Sequence, residues 1–222
     1  MLLDPKKRYL QIAFNKDRAM VDEILPKIPR DERILIEAGT PYIKREGASG
    51  IKYIADRWEG IVIADIKTVD GAVEEVEEVY YAGANAATVI GNAPKETIDL
   101  FIETCEEFGI ISMIDMINVD WPLKVLMKLK KPPQVVVLHR GRDEEATRGK
   151  VIPYKQINKI RSKFDVLISA AGGVDLREAQ TAAFNGANIV VVNLVAPEDP
   201  WIGIKSTEDV IEIAKKFLKS IE

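Results

Sequence analysis

Residues 60–91 read GIVIADIKTVDGAVEEVEEVYYAGANAATVIG, and the parsing of this stretch decides the fold. A run of Ile, Val and Ala ends in Asp65 and Lys67. From Gly71 the apolar residues recur three and four apart, Gly83 stops that pattern, and a second apolar run starts at Ala86. Near-continuous Val and Ile mark strands covered on both faces, which is the setting of a parallel sheet. Parallel neighbours need a crossover, and the amphipathic segment between the two runs supplies a helix to make it.

The same alternation extends in both directions. Strand candidates are YLQIAF (9–14), RILIEAG (33–39), GIVIADIK (60–67), AATVIG (86–91), IISMIDMI (110–117), QVVVLHR (134–140), DVLISAAG (165–172) and NIVVVNLV (188–195). Helical patterns between them include KDRAMVDEILPKI, GAVEEVEEVYYAG, PKETIDLFIETCEEFG, WPLKVLMKLKK, YKQINKIRSKF and DLREAQTAAFNG, and STEDVIEIAKKFLKSI closes the chain. Several end in glycine, which tolerates the left-handed turn after a helix. Eight strand and helix units within 222 residues predict an α/β fold, a (β/α)₈ TIM barrel, as a single domain over residues 1–222. A doubly wound open sheet would carry a G-x-G-x-x-G turn after its first strand, and that turn is missing.

Composition narrows the function. Hydrophobic residues make up 47% of the chain and charged residues 30%, which is globular rather than disordered. No apolar run approaches the roughly 20 residues that span a bilayer, and MLLDPKKRYL has charges where a signal peptide needs its apolar stretch. A cytoplasmic protein with no membrane partner is expected. A net charge of −4 argues against broad nucleic-acid binding, while an anionic small molecule can still be held by locally converging basic groups. The single cysteine, Cys105, excludes an internal disulfide and a Cys-rich metal site, and its helical setting reads as packing. Few Gln and His beside many Lys, Glu and Ile give a thermophile-like balance.

In a (β/α)₈ barrel the working side chains come from the C-terminal ends of strands. Those ends offer Gln11 and Asn15, Glu37 with Thr40, Asp65 with Lys67 and Asp70, Asn92, Asp115 with Asn118, His139 with Arg142 and Asp143, Gly172 with Gly173, and Asn193. Asp65 and Lys67 are two apart and so share one face of their strand. One reading is a structural ion pair with Asp70 capping the next helix. The other is a polar centre to which Glu37 and His139 belong. Glu37 ends the apolar run ILIE, where a carboxylate needs a partner; a metal ion shared with Asp65 would provide one, and hard oxygen donors suit Mg²⁺. His139, the sole histidine, reads as a structural side chain or as a group placed to move protons near neutral pH. Gly172 and Gly173, in SAAGGVD (169–175), read as a tight turn or as bare N–H groups that bind phosphate beside a helix start at Asp175.

ADIKTVDGA resembles the Asp-x-Lys-x-x-Asp motif of the orotidine 5'-monophosphate decarboxylase superfamily, barrel enzymes that act on sugar phosphates. LQIAFN, EAGTP, LHRGRDEE and AAGGV surround it in the family's order, so the resemblance covers nearly the whole chain. EAGTP is similar to the Glu-x-Gly-Thr segment of hexulose-6-phosphate synthase and 3-keto-L-gulonate-6-phosphate decarboxylase; orotidine decarboxylases carry a lysine on that strand. The resemblance implies a Mg²⁺-dependent lyase that passes through an enediolate. It makes Glu37 and Asp65 the metal ligands, Lys67 an electrostatic stabiliser and His139 a proton carrier. Asp70 would reach into the neighbouring subunit's site, which implies a homodimer with shared active sites. Gln11, Asn15, Thr40, Gly172, Gly173 and Asn193 are the candidates for holding a small phosphorylated sugar.

LHRGRDEE fits two activities at once. Its His-x-Gly-x-Asp resembles the synthase, whereas Arg142, three residues after His139, resembles the arginine of the keto-gulonate decarboxylases. The chain resembles archaeal proteins, whose synthases can release formaldehyde to make ribulose 5-phosphate, and this favours the synthase. Two departures oppose simple transfer. Asn15 stands where the family usually has Asp, and Asn193 and Leu194 stand where it usually has a Gly-Arg pair that grips phosphate. Either Lys205, Arg148 or Lys150 substitutes, or the natural ligand carries its anionic group elsewhere, and the loop with Pro197, Pro200 and Trp201 reads as a lid or as a packed surface loop. The alternatives are a decarboxylase acting on keto-gulonate phosphate or orotidine monophosphate, and a non-catalytic barrel that binds a metabolite.

Overall fold

In a computed structural model, which describes residues 3–145, 147 and 151–222, the eight expected strands are all present. They are β1 (Tyr9–Phe14), β2 (Ile34–Ala38), β3 (Val62–Thr68), β4 (Ala86–Ile90), β5 (Ile111–Asp115), β6 (Val135–His139), β7 (Leu167–Ala171) and β8 (Ile189–Val195). Each pairs in parallel with the next, and β1 also pairs with β8, with Leu10 opposite Val190 and Ile12 opposite Val192. The sheet closes on itself. This is a (β/α)₈ TIM barrel.

Around it lie α1 (Arg18–Ile24), α2 (Thr40–Glu46), α3 (Ala48–Ala55), α4 (Ala72–Tyr81), α5 (Lys95–Glu107), α6 (Pro122–Leu126), α7 (Arg142–Glu145), α8 (Gln156–Arg161), α9 (Leu176–Phe184) and α10 (Val210–Ser220). Aspartates 17, 175 and 209 start α1, α9 and α10 by accepting the backbone N–H three residues on. Three departures from the sequence reading have local causes. The segment between β2 and β3 forms two short helices broken at Gly47, whose φ of +64° no helix continues. α6 stops at Leu126 although its apolar pattern runs on, because the chain turns to dock Lys130 N–H on Asp99 of α5 at 2.9 Å. A two-residue strand, β9 (Ile204–Lys205), lies beside β8, too short to leave a periodic signal.

The strand period divides the core into two layers. Outward residues such as Leu10, Ile12, Ile34, Ile36, Val190 and Val192 pack under the helices, whereas Tyr9, Leu35, Ile63, Ile111, Val135, Leu167 and Ile189 fill the barrel interior with Leu3. Cys105 is buried on α5 among Ile98, Phe101 and Ile102, and burial pushes its thiol up, as packing predicts. Truncating Phe101 to alanine would cost about 3–5 kcal/mol. Along each strand the inward positions change character from bottom to top: Ile63 gives way to Asp65 and Lys67, Ile111 and Met113 to Asp115, and Val135 and Val137 to His139. The apolar floor is what lets a polar mouth sit at one end only. No helix among the described residues is long and apolar enough to cross a membrane.

Candidate active site

The mouth is a cavity of about 270 Å³, and the end of β3 enters it through a distortion. Ala64 is opposite Ala87 but Thr68 is opposite Val89, so four steps on β3 match two on β4. Lys67 lies in this bulge at φ +50°, a conformation that costs a non-glycine residue about 1–3 kcal/mol. The distortion has a product. Lys67 Nζ lies 2.6 Å from Asp65 Oδ2 and 2.8 Å from Asp115 Oδ2, bridging the ends of β3 and β5.

Asp115 continues the chain of contacts. Its carboxylate takes His139 Nδ1 at 2.8 Å and the Ile117 N–H at 2.9 Å. Burial alone would raise Asp115, but His139 and Lys67 outweigh it and hold the carboxyl far below the usual range. Burial works against the charge on Lys67, yet Asp65 and Asp115 keep the ammonium well above the ordinary lysine value. His139 is likewise lowered by burial and raised more strongly by Asp115. With Nδ1 donating to Asp115, Nε2 is the ring nitrogen left for chemistry.

Glu37 behaves in the opposite way. Burial first and the Asp65 charge second push it up to about 7, although Gln11 Nε2 donates to its Oε2 at 2.5 Å. Asp65 is fully engaged: Thr40 Oγ1 lies 2.8 Å from its Oδ2 and Thr88 Oγ1 2.8 Å from its Oδ1. No group of three or more His, Cys, Asp or Glu arranged for a metal occurs among the described residues. Glu37, raised by the Asp65 charge beside it, and Asp65 are nevertheless neighbouring hard-oxygen donors, a pair that fits a divalent cation of the kind that keeps several water or substrate oxygens.

The cavity collects most of the expected residues: Gln11, Asn15, Glu37, Thr40, Asp65, Lys67, His139, Arg142, Gly172 and Asn193 all line it. Gln11 and Thr40, expected to touch substrate, give their Nε2 and Oγ1 to Glu37 and Asp65, while Gln11 Oε1 is buried without a hydrogen-bond partner among the described residues. Asp70 is exposed and outside the cavity, and it caps nothing, since α4 starts after Gly71 without a side-chain cap. Asn92 and Asn118 sit in exposed turns away from the cavity. Gly173 also lies outside it. Close packing also calls for glycine at both positions: a Cβ on Gly172 would fall 1.9 Å from Arg140 O, and one on Gly173 would fall 2.3 Å from Arg140 Nη2. Asp175 already caps the helix that follows.

The two departures from the family pattern meet. Asn15 Nδ2 donates to Asn193 Oδ1 at 3.0 Å, and Gly39 leaves room for Asn15, because a Cβ there would fall 2.2 Å from its Oδ1. Leu194 is buried in the outer layer and never faces the mouth. Lys205 does not replace the missing arginine, since its Nζ donates to the carbonyls of Ala196, Pro197 and Asp199. Arg148 and Lys150 lie outside the described residues. The loop after β8 is tied by its own hydrogen bonds, Ala196 N–H to Asp199 among them, and brings Trp201 to 5.4 Å from the Arg142 guanidinium. Two residues of the site have no role assigned by the sequence. Asp115 shows only as a polar strand end, and Thr88 gives no signal, since threonine is ordinary in a strand.

Residues 8–193 match the sequence profile of the orotidine 5'-phosphate decarboxylase / HUMPS family. The bifunctional enzyme Fae/Hps of Methanosarcina barkeri is 38% identical over 222 residues, covering 99% of this chain and 54% of that protein. That of Methanocaldococcus jannaschii is 38% identical over 173 residues, 78% of this chain and 44% of the other. The chain thus spans about half the length of the curated relatives it matches. Among solved structures, 3-hexulose-6-phosphate synthase from Salmonella typhimurium superimposes with a TM-score of 0.79 at 26% identity, covering 96% of this chain and 98% of that one. KGPDC from Streptococcus mutans gives 0.76 at 16% identity over 97% and 98%, a likeness of fold alone. With the motif order, the closed barrel and a match that takes in most of the chain, the protein belongs to the orotidine 5'-phosphate decarboxylase / HUMPS family.

Proposed function

We propose that the chain is a carbon–carbon lyase of the 3-hexulose-6-phosphate synthase type, joining formaldehyde to ribulose 5-phosphate or releasing it. The observation that carries this reading is the Asp65, Lys67, Asp115 and His139 chain: a lysine kept charged between two carboxylates, beside a histidine oriented by one of them. An aldol step at a ketose needs a proton taken from the carbon next to the carbonyl, a stabilised enediolate, and a proton returned to the new hydroxyl. Lys67 supplies fixed positive charge where the enediolate oxygens become negative. His139 moves the proton at Nε2 while Asp115 holds the ring at Nδ1. In the joining direction the nucleophilic carbon attacks formaldehyde, a C–C bond forms, and the aldehyde oxygen takes up a proton; release is the reverse. Glu37 and Asp65 would hold Mg²⁺, which would draw electron density from the ketose oxygens.

The relatives named bifunctional enzyme Fae/Hps and the synthase structure support this reading. Exposed Asp70 is assigned to a partner subunit's site in a cytoplasmic homodimer. Mixing Lys67→Ala with Asp70→Ala protein should restore partial activity, because some mixed dimers hold one intact site; no recovery after proven subunit exchange would refute the sharing. Formaldehyde consumption with ribulose 5-phosphate, with and without Mg²⁺, tests the main reading. Metal-dependent loss of formaldehyde supports it, and none refutes it. A second reading, decarboxylation of a keto-sugar phosphate, draws on Arg142 at the cavity wall. Carbon dioxide released from 3-keto-L-gulonate 6-phosphate would favour it.

A further inference from the structure

We propose that Thr88 is a positioning residue that sets the geometry of both Asp65 and Lys67, an inference that deepens the lyase reading. Its hydroxyl touches both: Oγ1 accepts the Lys67 backbone N–H at 2.9 Å and donates to Asp65 Oδ1 at 2.8 Å. A hydroxyl has one hydrogen and two lone pairs, so these two bonds use it in both senses at once.

The bulge explains why the hydroxyl is needed. Between the Ala64 and Thr68 pairings β3 has two residues more than β4, so the backbone of Lys67 is lifted out of the regular ladder. An N–H turned into a buried space must find another acceptor. Thr88 sits on β4, is itself only 4% exposed, and its hydroxyl serves as that acceptor. Lys67 is at φ +50°, a conformation that persists only when its surroundings over-determine it. The bond from Thr88 is one of those constraints at the backbone, while Asp65 and Asp115 hold the other end of the residue at Nζ. By donating to Asp65 the same hydroxyl fixes the carboxylate that Lys67 pairs with. Thr40 also holds Asp65 and Asp115 also holds Lys67, but the Thr88 hydroxyl ties the carboxylate of the one directly to the backbone of the other.

Thr88→Val and Thr88→Ser separate this role from simple packing. Valine keeps the shape and removes both hydrogen bonds, whereas serine keeps the hydroxyl and removes a methyl. In formaldehyde fixation, Thr88→Val should lower kcat by roughly 10- to 100-fold with KM within about threefold, since small misplacements of a working group cost rates of that order. Thr88→Ser should stay within about threefold of wild type. Amide hydrogen exchange at Lys67 gives a readout independent of turnover: protection should fall at least tenfold in Thr88→Val and persist in Thr88→Ser. Equal losses of kcat in both variants, or unchanged Lys67 protection in Thr88→Val, would overturn the proposal. A wild-type protein that consumes no formaldehyde would refute the lyase reading instead, and the exchange data alone would then decide the role of Thr88.

Discussion

The two sides of the barrel mouth are built on different principles. From β3 to β6 the rim is charged and closely paired: Asp65, Lys67, Asp115 and His139 form one connected chain of contacts. From β7 through β8 to β1 it is neutral, with Gly172, Asn193 and Asn15 and an amide-to-amide hydrogen bond across the seam. Charges aimed at one place accelerate a reaction, whereas neutral donors and acceptors sort ligands by shape and hydroxyl pattern. On the proposed lyase reading the chemistry belongs to the first side and the choice of substrate to the second.

The largest break in that comparison should come from Lys67→Ala. Turnover should fall by about 10²–10³-fold or more, with thermal unfolding showing the barrel still folded; near-native turnover would end the case for the charged side. On the neutral side, Asn193→Asp should raise KM for a phosphorylated ketose by roughly tenfold through repulsion and leave kcat within about twofold. A fall in kcat without a change in KM would mean that the neutral side also does chemistry.

Smaller effects sharpen the assignment of charge. Glu37 is raised from 4.5 to about 7, so the folded protein holds this proton longer than the unfolded chain and loses stability as pH rises through that window. In metal-free buffer the unfolding midpoint of Glu37→Gln should therefore gain roughly 2–6 °C on wild type between pH 5 and pH 8. Added Mg²⁺ should raise the wild-type midpoint at pH 8 and not that of the variant. His139 has the same sign for a different reason. Burial lowers it but Asp115 raises it more, so its contribution is complete below the unfolded value of 6.5 and fades as pH rises through the folded value. The advantage of wild type over His139→Gln should thus shrink above neutral pH, by a few degrees at most; an advantage that grew with pH would contradict the Asp115 pairing.

Much of this was legible in the chain itself. Continuous Val and Ile runs separated by amphipathic segments predict eight parallel strands, because burial on both faces leaves no polar alternation and each crossover needs its own helix. The candidates at strand ends followed from the same period, which sets Asp65 and Lys67 on one face and brings Glu37 and His139 to one end. The tertiary structure alone decided the rest. Asp115 became the hinge of the network because β5 lies close enough for its carboxylate to meet Lys67 and His139 together. The pairing of Asn15 with Asn193, 178 residues apart in the chain, needed the closure of β1 on β8. Thr88 acquired a role only because β3 bulges beside it. Periodicity reports which way a side chain faces, and hydrogen bonding depends on distances between strands that no local pattern encodes.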